Sequence, residues 1–196
     1  SVILSSLEGL EAEEERRILI VAGPASHGWN EHEYPAGAEL LADCINESVP
    51  DARASHAIGW PGAEVLKSDW DAVVLYSDGI DLHVAKDHVD SLRALRSGGA
   101  GVAVLHFALE PPSPDHPLRD FLLESIGGYF EPGWSVNPIW EMKDPWLAEH
   151  PINEGVEPFQ LRDEWYYHLR FRDTASITPV LKAIPHRPPF LFVDAI

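Results

Sequence analysis

Imidazole is the side chain that can take a proton, give one or ligate a metal near neutral pH, and this chain carries ten histidines. His106 closes the segment GVAVLHF, where small and branched apolar residues run out of an expected buried strand. At the carboxyl end of a parallel strand a side chain faces a crevice rather than the core, and open α/β sheets place their ligands there. His106 is therefore a candidate general base, nucleophile or metal ligand, with one ring nitrogen working and the other held by a neighbour. No Ser or Cys stands beside it.

Other clusters lie at comparable positions. HGWNEHEYPAG, residues 27–37, brings His27, Glu31, His32 and Glu33 together where a first strand should hand over to a helix. These residues read either as metal ligands, acid/base groups or sugar-hydroxyl partners, or as a solvated helix entry, and they match no strict metal motif. YSDGIDLH, residues 76–83, sets Asp78 and His83 on another strand end, although an Asp-Gly turn accounts for part of that pattern. In DEWYYHLRF, residues 163–171, strand alternation would point Glu164, Tyr166, His168 and Arg170 to one face and Trp165, Tyr167, Leu169 and Phe171 to the other. Such a face could line a cleft or simply meet solvent. WSVNPIW, residues 134–140, adds tryptophans suited to a sugar-binding wall or to sealing a core.

The elements that must position these groups follow from periodicity. ILIVAG reads as a first buried parallel strand, followed by a Gly/Pro loop and a helix over about residues 33–48 with an apolar face of Ala38, Leu40, Leu41, Cys44 and Ile45. ARASHAI, DAVVLYS and GVAVLHF give further strands, and residues 83–99 a helix that ends at glycines. Strands alternating with helices predict an α/β fold: a flavodoxin-like, doubly wound, mostly parallel sheet with helices on both faces. The second half changes character. A helix near residues 119–128 precedes WSVNPIWEM, EWYYHLRF and ITPVLKAI, which predict extra antiparallel strands in the C-terminal half.

Composition narrows the partners. A chain of 196 residues with net charge -18 and only four lysines is a poor match for nucleic acid or an anionic membrane. A neutral small molecule is the easier partner. No run reaches the roughly 18 apolar residues of a membrane span. The single cysteine, Cys44, excludes an intrachain disulfide and a Cys-rich zinc site, and its place in LLADCIN predicts a packed thiol. Residues 1–16 form an acidic N-terminal extension without an initiator Met or a signal pattern. Localisation stays open between cytoplasm and periplasm, and homo-oligomerisation is also open.

Taken together, HGWNEHEYPAGAELLA, GWPG, VVLYSDG, GVAVLHFALE, IGGYFEPGWSVNPIW, HPINEGVEPF and DEWYYHLRF resemble the ThuA-like family, named for trehalose utilisation and built on the class I glutamine amidotransferase-like fold. The resemblance runs from about Arg17 to Ala183 and implies a single domain over residues 17–196. In amidotransferases of this fold a cysteine nucleophile occupies the corresponding elbow. His106 stands there instead, so no glutaminyl thioester can form. The resemblance implies a role in sugar metabolism, with a disaccharide or keto-sugar derivative as the small-molecule carbohydrate partner. Family members continue into a Gly-rich strand and a His-containing stretch beyond DEWYYHLRF, a C-terminal segment that this sequence lacks. The closing PHRPPFLFVDAI resembles the opening of hotdog-fold dehydratases over about a dozen residues, without that family's catalytic motifs.

The resulting expectation is a hydrolase- or lyase-type carbohydrate protein. His106, Glu164 and His168 are its catalytic candidates, and His27, Glu33 and His106 are candidate ligands to a divalent metal such as zinc. Trp29, Trp134 and Tyr166 are expected to contact a sugar ring. The alternative, from a different class, is a non-catalytic carbohydrate-binding or interaction domain.

Overall fold

Leu19, Ile20, Val21 and Ala22 have almost no solvent-accessible surface, as a strand covered on both faces requires. They belong to β1 (Arg16–Ala22), the anchor of a four-stranded sheet in a computed structural model that describes residues 15–173 and 176–184. β1 pairs in parallel with β2 (Ala52–Ile58) on one side and β3 (Ala72–Tyr76) on the other, and β3 pairs in parallel with β4 (Gly101–Leu105). The order β2-β1-β3-β4 reverses direction between β1 and β3. Right-handed crossovers then carry the connection to β2 over one face and the connections to β3 and β4 over the other. Sheets of this order bind their ligands beyond the carboxyl ends of the strands at that switch point, where the loops leaving β1 and β3 emerge side by side.

The expected doubly wound α/β fold is present. α1 (Tyr34–Ser48) joins β1 to β2, α2 (Ala63–Leu66) leads to β3, and α3 (Val89–Ser97) leads to β4. The packed face of α1 keeps Ala38 and Ile45 of the expected set but not Leu40, Leu41 or Cys44. Tyr34, Ala38 and Ala42 are buried, with Ile45 against the same cluster, while Leu40, Leu41 and Cys44 are exposed. The helix is turned so that the Tyr34 hydroxyl reaches inward, and the alanines at successive turns let the backbone approach the sheet. Cys44 is thus an exposed thiol, not a packed one. α3 is also shorter than expected, because side chains claim the amides before it: Ser77 Oγ accepts the Val84 N–H at 3.2 Å and His83 Nδ1 accepts the Ala85 N–H at 3.0 Å. β4 was expected to be buried. It is an outer strand of the sheet among the described residues, as β2 is at the other edge, with Gly101 and Ala103 exposed.

Within the 17–196 span read as one domain, the chain divides between Ala108 and Leu109 into two compact units. The second unit holds α4 (Pro117–Ser125), whose Leu118, Phe121 and Leu122 are buried. Its strands pair antiparallel in twos, as the sequence suggested: β5 (Gly128–Tyr129) with β9 (Arg170–Phe171), β6 (Ile139–Met142) with β8 (Leu161–Glu164), and β7 (Trp146–Leu147) with β10 (Leu181–Lys182). The expected continuous strand over residues 163–171 is broken. β8 ends at Glu164, Tyr167 makes an isolated bridge to Val136, and His168 has φ +56, which reverses the alternation. The hotdog-like residues 185–196 lie outside the described residues. No described helix is long and apolar enough to cross a membrane.

Candidate functional site

Gly23, the first residue after β1, brings two loops into contact. Its N–H donates to the Tyr76 carbonyl at 2.9 Å, and a Cβ built on it would lie 2.8 Å from Ser77 Cβ. From this junction the β1 loop curls back on itself through a Ser26–His32 bridge, with His27 and Asn30 both at positive φ. The two nearby glutamates are used in that curl. Glu31 accepts the Gly28 N–H at 2.7 Å and Glu33 accepts the Asn30 N–H at 3.1 Å. What the curl presents to the crevice is a pair of imidazoles, His27 and His32, edge to face with ring centroids 4.0 Å apart.

Asp78, two residues past β3, organises this pair. Its side chain is only 5% exposed; Oδ1 accepts from the buried Tyr34 hydroxyl at 2.8 Å and from His32 Nδ1 at 2.9 Å, with His27 Nδ1 3.7 Å away. Burial alone would raise this carboxyl. Hydrogen bonds from Ser26, Tyr34 and His32, together with the nearby His27, outweigh burial and hold it below the ordinary carboxylate range. An ionised Asp78 fixes the proton of His32 on Nδ1, which leaves Nε2 facing outward. That nitrogen lies 3.3 Å from His106 Nε2, the two rings nearly perpendicular. Phe107 packs near both His27 and His32.

The 3.3 Å separation is informative. Two imidazole nitrogens on a tetrahedral zinc, each at 2.0–2.1 Å, stand about 3.3 Å apart. His27, His32 and Asp78 also place one ligand atom each within 4.8 Å of one another. The His27, His32 and Asp78 group could thus hold a metal ion, and Asp78 can either ligate directly or stand behind His32 as its hydrogen-bonded carboxylate.

Of the sequence candidates, His27 and His106 come together here. Glu33 is turned to its own loop. Glu164 ends β8, and its expected common face with His168 does not form, because the strand breaks between them. His168 is exposed beside Trp134, with ring centroids 5.9 Å apart. Trp134 is half exposed under the Arg170 guanidinium, whose nitrogens hold Glu131 at 2.5 and 3.1 Å. Tyr166 packs edge-on against Phe130, whereas Trp29 is 88% exposed in the β1 loop. His32 and Asp78 were visible in the sequence as loop candidates without assigned roles. Tyr34 was missed; a hydroxyl on the first helical turn beyond a crevice loop was the available signal. In the second unit, the buried Glu110 has its carboxyl pushed up to about 7 by loss of solvent.

A doubly wound sheet with an imidazole and carboxylate cluster at its switch point defines an α/β protein with a candidate site at the carboxyl ends of its strands. Compared with known proteins, the chain matches no family model and no curated protein. Among solved structures it is similar to a ThuA-like protein from Bacteroides uniformis, with a TM-score of 0.51 and 15% identity over 83% of this chain. The fold is ThuA-like. The chain spans 64% of that protein's length.

Proposed function

We propose that this chain serves sugar metabolism by metal-assisted chemistry on a disaccharide or keto-sugar derivative, with His27, His32 and His106 as ligands to a divalent ion such as zinc. The supporting observation is the facing Nε2 pair of His32 and His106 at 3.3 Å, with His32 oriented by a buried carboxylate. Such an ion would polarise a carbonyl or glycosidic oxygen and acidify a bound water. Asp78 and Tyr34 keep His32 in one tautomer, His106 presents its ring from the end of β4, and His27, more exposed, borders the mouth. Trp29, open to solvent in the same loop, supplies a stacking face for a sugar ring. Thioester chemistry has no nucleophile here, because Cys44 lies on the exposed side of α1.

The test is zinc binding by the purified chain and by H32A and H106A, followed by turnover assays on ordinary and 3-keto disaccharides. Binding at one zinc per chain that falls at least about a hundredfold in either variant supports the reading, and D78N should lose about ten- to a hundredfold. Equal zinc affinity in all three proteins would overturn it. Sugar binding without turnover would assign the chain to the non-catalytic binding class instead.

A further inference from the structure

His83 is 2% exposed and lies five residues beyond Asp78, on the loop that leaves β3. Its bonded partners define its protonation. Nδ1 accepts the Ala85 N–H at 3.0 Å, and a backbone N–H can be accepted only by a lone pair; Nε2 sits 2.9 Å from the Ala108 carbonyl, which can only accept. The ring is therefore neutral, protonated on Nε2, and engaged on both sides. That excludes it as a metal ligand in this arrangement, although it stands at the same lip as the cluster.

What it does instead is join two elements of the site. Ser77 Oγ accepts the Val84 N–H and donates to the Asp78 carbonyl at 2.9 Å, so the β3 loop carrying Asp78 is closed on itself around His83. The other end of the imidazole holds Ala108, in the short 3-10 turn that begins at His106. His106 has φ +54. A non-glycine residue in that region is strained and persists only where its surroundings fix it. The His83–Ala108 hydrogen bond is one such restraint, two residues from the strained position.

The geometry points to His83 as the positioning residue of the site: a neutral brace that ties the Asp78 loop to the His106 turn and so sets the spacing of the His32 and His106 nitrogens. This inference rests on the metal-site reading for its functional consequence, but not for its structural one. Two substitutions separate the halves of the brace. Asparagine reproduces Nδ1 and keeps the bond from Ala85 without reaching Ala108, whereas glutamine places an amide N–H where Nε2 was.

The experiment titrates the full chain with Co2+ alone, reading the ligand-field absorbance, for wild type, H83N, H83Q and H106A, and for H83N combined with H106A. Crystal structures of metal-free wild type and H83N accompany it. H83N should weaken Co2+ by about tenfold or more and H83Q by less than about threefold, and H83N should add nothing once His106 is gone. Equal losses in H83N and H83Q, or an undiminished H83N effect in the H106A background, would overturn the inference. Should wild type and H106A bind Co2+ equally poorly, the metal reading fails. The crystal structures then decide the brace: a His32–His106 separation opened beyond 3.3 Å in H83N upholds it, and an unchanged one overturns it.

Discussion

Replacing Glu110 with glutamine removes an ionisation that the fold opposes. The carboxyl is 7% exposed and titrates at about 7 instead of the ordinary 4.5, because burial penalises the charged form. The folded chain therefore keeps a proton that the unfolded chain has released. Stability falls as pH rises from 4.5 toward 7 and levels off above, where both states are ionised. At about 1.4 kcal/mol per pH unit, the loss across that window is on the order of 3 kcal/mol. Glutamine has nearly the same shape and no charge to lose. Urea unfolding of wild type and E110Q at intervals from about pH 4.5 to 8.5 isolates the effect, since every other group titrates in both proteins and cancels in the difference. E110Q should gain steadily on wild type up to about pH 7 and then hold a constant advantage of about 3 kcal/mol. Parallel stability curves across the window would refute the reasoning.

Gly23→Ala would drive a Cβ to 2.8 Å from Ser77 Cβ and 3.2 Å from Ser77 Cα, where backbone must yield, so a loss of about 1–3 kcal/mol is expected in urea unfolding; an unchanged midpoint would contradict the packing. Tyr34→Phe deletes the buried donor to Asp78 and should cost about 1–3 kcal/mol, read by the same assay, and no loss would mean that Asp78 does not depend on that hydroxyl. Cys44 should react with a disulfide reagent in the native protein as fast as a free thiol, and protection that vanishes only on denaturation would return it to the packed face.

The parallel strands were legible because their signal is local: continuous apolar runs ending at glycines or turns carry β1 and β3 into the core. The crevice loops were legible as places. His106, His27, His32 and Asp78 all stood out by their position at strand ends. Which neighbour faces inward was not legible, because His32 and Glu33 are adjacent in sequence and separated only by a loop that turns through positive φ at His27 and Asn30. Composition carries no record of that curl. For the same reason the alternation read into residues 163–171 failed, since one reversed residue, His168, resets which side faces which. On α1, hydrophobicity pointed to the leucines, whereas close approach favoured the alanines beside Tyr34.

The left-handed backbone at His106, a conformation it shares with His27 but not with His32, decides how mutation acts on that position. Glycine adopts such a conformation freely, so His106→Gly relieves a strain that His106→Ala retains. The glycine variant should outlast the alanine variant in urea, and it should lose the imidazole all the same. Selection for durability alone therefore pushes this position toward glycine. An imidazole kept here is a running cost to the fold, and in descendants of this chain a glycine at the same elbow would mark lineages in which the crevice no longer needs it.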